Sequence, residues 1–191
     1  MPTGAGGGAS SREVIGAVEP GPPSGVPDLP DAVVAWRIWR LVDVGETCRL
    51  VSAFKWAVWH PGEALVASCL TKPTALQRLR GKARHHAPDS GCLCGIYGAE
   101  LSLLESGLSA WRDREVGRVV GEVSLWGTVI ECEHGFRASL AYPRRIYVPS
   151  DGAHWEWEKV VDDLSAYRVP IEPLPVGCAD ATGELLRRVA A

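Results

Sequence analysis

GRVVGEVSLWGTVIECEHGFRASLAYPRRIYVP (117–149) is the stretch whose reading decides the fold. In its first half Val119, Gly121, Val123, Leu125, Gly127 and Val129 recur at every second residue, the period that puts side chains on one face of a strand. Small and large residues alternate on that face, which suits a tightly curved sheet or barrel wall where glycines relieve crowding. His134-Gly135 reads as a turn, and 136–149 as the returning partner. Phe136, Ala138 and Leu140 share one face of that partner until Pro143, which is expected to break the register or mark an edge.

The segments on either side extend the pattern. AVVAWRIWRLV (32–42) is rich in Val, Ile and Trp and predicts a strand. Asp43-Val44-Gly45-Glu46 predicts a turn, and CRLVSAF (48–54) the pairing strand. Pro61-Gly62 is a second turn signal, followed by ALVASCL (64–70) as a buried strand, and CLCGIYG (92–98) reads as a short one. Residues 72–91 are basic and irregular, with one helical turn expected around Ala75–Leu79. Leu101, Leu104, Leu108 and Trp111 have helical spacing within 101–115. WEWEKVVDDLSAYRV (155–169) predicts a second helix, stopped by Pro170, Pro173 and Pro175, and 181–191 a short last one. The expected class is α+β: a curved, mostly antiparallel sheet or partial barrel of about six strands with two or three covering helices.

Composition bounds this reading. The chain has 191 residues, 46% hydrophobic and 23% charged, as ordinary globular proteins do. It has no coiled-coil or collagen repeat and no apolar run of the roughly 18 residues a membrane helix needs. Residues 1–31 hold seven Gly and six Pro and read as a flexible tail ahead of a single domain over 32–191. No basic region followed by an apolar one marks the N-terminus as a secretory signal. The six cysteines are accordingly read as reduced thiols or metal ligands in a cytoplasmic protein. A net charge of −3 gives no global attraction to nucleic acid, and no membrane partner is expected.

The densest chemistry lies in Cys69, then HHAPDSGCLCG (85–95). Zinc takes four N or S donors in a tetrahedron, and Cys69, His86, Cys92 and Cys94 would supply a closed Cys₃His shell. His86 is preferred to His85 for its nearness to the thiols. Cysteines that serve as small buried hydrophobes are the competing explanation. Lys72, Arg78, Arg80, Lys82 and Arg84 form a basic run without an acid, which suits either a solvated surface or contact with phosphate. Arg137, Arg144 and Arg145 on the second strand of the hairpin are further anion-contact candidates, although charges on strands also block edge-to-edge pairing. Cys132 and His134 are two residues apart and would share a strand face as a Cys–His dyad. Trp36/Trp39 and Trp56/Trp59 are spaced by three, so each pair should split between opposite faces. No nucleophile elbow, zincin or phosphate-loop motif occurs.

CLCGIYG, the Leu-Trp-Gly hairpin and the Arg-Ala-x-x-Ala-Tyr-Pro return strand resemble a family of uncharacterised bacterial proteins, mainly actinobacterial, over roughly residues 34–170. The resemblance implies a family and no reaction. The function expected is a non-catalytic ligand-binding or protein-interaction domain, stabilised by a structural zinc and meeting a small molecule or a protein. One alternative is a nucleic-acid-binding module using the basic 72–86 loop with Arg144 and Arg145. The other is a Cys/His-dependent or zinc-dependent enzyme.

Overall fold

The computed structural model describes residues 13–15, 32–53, 56–69, 85–104, 117–149, 157–174, 184–185 and 187–188. The central hairpin consists of two 15-residue strands, β6 (Arg118–Cys132) and β7 (Gly135–Pro149). They pair antiparallel, with register shifts at Glu122/Val123 and between Trp126 and Val129. Pro143 does not end β7: it stands opposite Val123, beside the first shift, where Arg144 is the extra residue between the pairs Val123↔Pro143 and Glu122↔Arg145.

β2 (Val33–Val44) pairs with β6 along eight positions, and β3 (Thr47–Ser52) folds back on β2. β5 (Ile96–Ala99) lies along β7 and touches β2 at Trp36↔Ala99, so that β6, β2, β5 and β7 close a ring. β4 (Leu65–Val66) is antiparallel to β7, whereas β8 (Ile171–Leu174) is parallel to it. β1 (Glu13–Ile15), from within the stretch expected as a tail, pairs with β6.

The interior of the ring carries Ala35, Val123, Leu125, Val129, Ala138 and Ile96, the face read from the two-residue spacing. Gly98 has to be glycine there, because a Cβ would lie 2.6 Å from that of Ala35 and 2.8 Å from Leu125 Cδ1. Among the described residues the longest helix, α1 (Trp157–Ser165), buries Val160 and Leu164 in the same cluster. Opposite faces of β2 and β6 bury Trp36 and Val120 with Tyr147, Leu174 and Leu185. The tryptophans at 36 and 39 do split: Trp39 meets Trp59 edge-on inside, and Trp36 stacks on Tyr147 outside. Trp56 is 67% exposed and lies beneath Arg40.

This architecture overturns the α+β expectation of about six strands under two or three helices. Strands hold 53% of the described residues and helices 15%, in an eight-stranded sheet with one α-helix. The physical reason is that β6, β2, β5 and β7 close on one another, so the sheet covers its own inner face. Leu101 opens a 3₁₀ turn (Leu101–Leu103), and Leu101 and Leu104 pack beside Trp36. Residues 105–116 lie outside the described part of the chain, as do 72–84. Among the described residues no helix is long and apolar enough to cross a membrane.

Candidate metal centre

Strands β4 and β5 sit end to end along β7: Val66 pairs with Leu140, the Ala67 amide donates to the Ser139 carbonyl, and Ile96 pairs with Ala138. The chain leaving β4 and the chain entering β5 therefore converge. Cys69 is three residues beyond Val66, and Cys94 two residues ahead of Ile96. Between them, the Asp89 side chain accepts from the Gly91 amide and its carbonyl from the Cys92 amide, folding 89–92 into a tight turn.

The donor atoms of Cys69, His85, Cys92 and Cys94 all lie within 4.8 Å of one another. The sulfurs of Cys69 and Cys92 are 3.8 Å apart, and His85 Nε2 is 3.2 Å from the Cys94 sulfur. A tetrahedral zinc with bonds of about 2.3 Å to sulfur spaces two thiolates by about 3.8 Å. None of the three cysteines is in a disulfide. The histidine differs from the sequence expectation. His85 joins the thiols, while His86 is exposed and outside the cluster.

Cys94 is 3% exposed. Burial pushes its thiol up to about 11, the neighbouring Cys92 and Cys69 add to the rise, and a backbone hydrogen bond at Asp89 opposes it. A buried thiol of this kind stays protonated until a cation displaces the proton. Gly95 lets the chain turn from Cys94 into β5 with φ of +126°, in a place where a Cβ would lie 3.1 Å from both Pro88 Cβ and Arg137 Cβ.

Comparison of the chain with protein-family models, with curated proteins and with solved structures finds no match in any of the three. What the site does therefore has to come from its own chemistry.

Arg137 lies beneath the cluster, only 6% exposed. Its Nη1 donates to the carbonyls of Cys92, Cys94 and Asp89, and its Nε to the Cys132 sulfur at 3.2 Å. Burial lowers the Arg137 pKa, but the hydrogen bond to Cys132 and the proximity of Cys132, Tyr97 and Cys94 outweigh it, and the net direction is upward. The sequence singles out this arginine as an anion-contact candidate; its place under the 89–94 turn depends on β5 pairing with β7.

The other candidates separate from the cluster. Arg144 and Arg145 are seven and eight residues beyond Arg137, about 23 Å or more along an extended strand. Arg145 pairs with Glu172 at 2.6 Å, and both arginines approach Glu122. They serve the internal ion network that ties β8 to β6 and β7. Lys72, Arg78, Arg80, Lys82 and Arg84 lie outside the described residues. Cys132 and His134 form no dyad: β6 ends at Cys132, whose sulfur is held by Arg137, and His134 projects from the turn beside Glu133.

Proposed function

We propose that the chain is a non-catalytic binding domain in which a structural zinc, held by Cys69, His85, Cys92 and Cys94, pins the 85–95 segment onto β7. The convergence of four donor atoms within 4.8 Å carries this reading. Three sulfurs and one imidazole are the soft and borderline donors zinc prefers over calcium or magnesium. Four protein donors fill the tetrahedron and leave no position for water or substrate, which favours a structural over a catalytic ion.

The binding role rests on what the pinned segment displays. Leu93, between two of the metal-binding cysteines, is 82% exposed, and Tyr97 next to it is half-exposed with its hydroxyl donating to the Leu93 carbonyl. An apolar side chain held out by two metal ligands is a preorganised contact for a small molecule or protein.

Elemental analysis of the full chain, purified without a polyhistidine tag, tests the metal. The expected value is about one zinc per chain, falling on Cys92→Ser; less than about 0.1 zinc would sink the reading, because a closed thiolate shell binds tightly.

A further inference from the structure

Arg137 presents an electrostatic imbalance. It is the only charged side chain in the buried set of the described residues, and no carboxylate lies within ion-pairing distance of it among them. Its partners are three carbonyl oxygens and the sulfur of Cys132, with the Tyr97 ring 6.0 Å away. Carbonyl dipoles solvate a guanidinium but supply no net charge. A buried cation of this kind is costly without a compensating anion.

The Cys₃His centre provides that anion. Three thiolates, a neutral imidazole and a divalent ion carry a net charge of −1. Arg137 donates to the backbone of two of the three thiolate residues, Cys92 and Cys94. We infer that Arg137 is the charge-balancing and positioning residue of this metal centre: its guanidinium neutralises the anionic complex and fixes the carbonyls that set the Cys92–Cys94 turn. The inference rests on the proposed metal site. Arg137 touches no metal, and its effect passes through the ligands it holds. Oxidation state does not change in this role; each metal-binding thiol gives up its proton to solvent as the ion enters.

The experiment measures zinc affinity of the full chain by competition with a chromophoric chelator, for wild type, R137Q and R137K. Removing an outer-shell partner of a metal site weakens affinity by about 10- to 100-fold, the loss expected for R137Q. Lysine keeps the charge while losing the fork, so R137K should remain within about fivefold of wild type. Cobalt-substituted R137Q should keep the thiolate-to-metal charge-transfer band of wild type, showing an unchanged donor set. R137Q within about threefold of wild type would overturn the inference while leaving the metal site standing; it would mean that Cys132 alone serves Arg137. R137K as weak as R137Q would also overturn it, since charge would then be irrelevant. Should R137Q not fold, R137K decides: retention within about fivefold supports the role, and a greater loss refutes it. A wild type that binds no zinc removes both this inference and the site.

Discussion

Replacing Gly95 with alanine probes the join between the metal turn and the sheet. Two separate penalties follow from the structure. The backbone there has φ of +126°, a conformation L-residues adopt at a cost of about 1–3 kcal/mol. The added Cβ would also lie 3.1 Å from the Cβ atoms of Pro88 and Arg137. Neither is the free end of a flexible chain, so the overpacking adds about 1–3 kcal/mol. Together they predict a loss of about 2–6 kcal/mol, part of which should appear as weaker zinc binding because Cys94 is adjacent. Gly45, in the turn between β2 and β3, is the control: its φ is +68° and nothing lies within 4 Å of its added Cβ. Gly45→Ala should cost about 1 kcal/mol and leave zinc affinity unchanged. Urea unfolding of the zinc-saturated chain measures the first quantity, and chelator competition the second. If Gly95→Ala were no more costly than Gly45→Ala, the close approach of Pro88 and Arg137 would have no energetic meaning and the reasoning would fail.

Two further perturbations test how α1 is fastened to β3. The buried Tyr167 hydroxyl donates to the Trp59 carbonyl at 2.6 Å and accepts from the Leu50 amide at 3.1 Å. Tyr167→Phe leaves both groups unpaired and should cost about 2–4 kcal/mol in urea unfolding at unchanged m-value; a loss under about 0.5 kcal/mol would contradict the role assigned to the hydroxyl. Burial raises the same phenol to about 12 and the Cys48 thiol to about 11. Both groups are therefore neutral in the folded state where the unfolded chain has begun to ionise. Their stabilisation is complete below pH 9 and declines as pH rises through about 11–12, and the wild type should lose stability over that window. The Asp163 carboxylate is held below its ordinary value first by the Cys48 amide, against desolvation, and then by Lys159. A lowered folded pKa means that its contribution is present above the unfolded value of about 4 and is lost as pH falls through the folded one. Asp163→Asn should flatten the acid limb of the stability profile, and an unchanged limb would dismiss Asp163 as its source.

The parts of the fold legible in the sequence are those where the local pattern and the final environment agree. Val119, Val123 and Leu125 alternate because one face of β6 lines the ring, and their spacing says so directly. The edge pairings show the opposite case. β5 meets β2 at the single pair Trp36↔Ala99 and β4 has only two residues, and contacts that short leave no period in the sequence. The metal centre was half legible. Residue chemistry picked out the three thiols, but adjacent residues diverge along a chain, so nearness in sequence could not choose between His85 and His86. Arg137 is legible only as a charge for a related reason: beside Arg144 and Arg145 it looks like one more strand cation, and its burial arises only when 85–95 folds over β7.

The size of β4 gives the proposed metal a mechanical role. A two-residue strand supplies little pairing energy, yet Cys69 must follow it to one exact place while His85 arrives sixteen residues later in the chain. Cross-linking positions at that separation removes unfolded-chain entropy equivalent to about 3 kcal/mol in the loop-closure treatment used for disulfides. Zinc held by both residues would supply such a cross-link, and Cys92 and Cys94 would extend it to the start of β5. The ring closes between β2 and β5 at a single register pair, Trp36↔Ala99, so β5 depends on whatever fixes its N-terminal end. The metal is therefore expected to stabilise the closure of the sheet as well as the turn that binds it. Chelation should increase hydrogen exchange at Ile96–Ala99 more than within the β6–β7 hairpin, whose pairing does not require the ion.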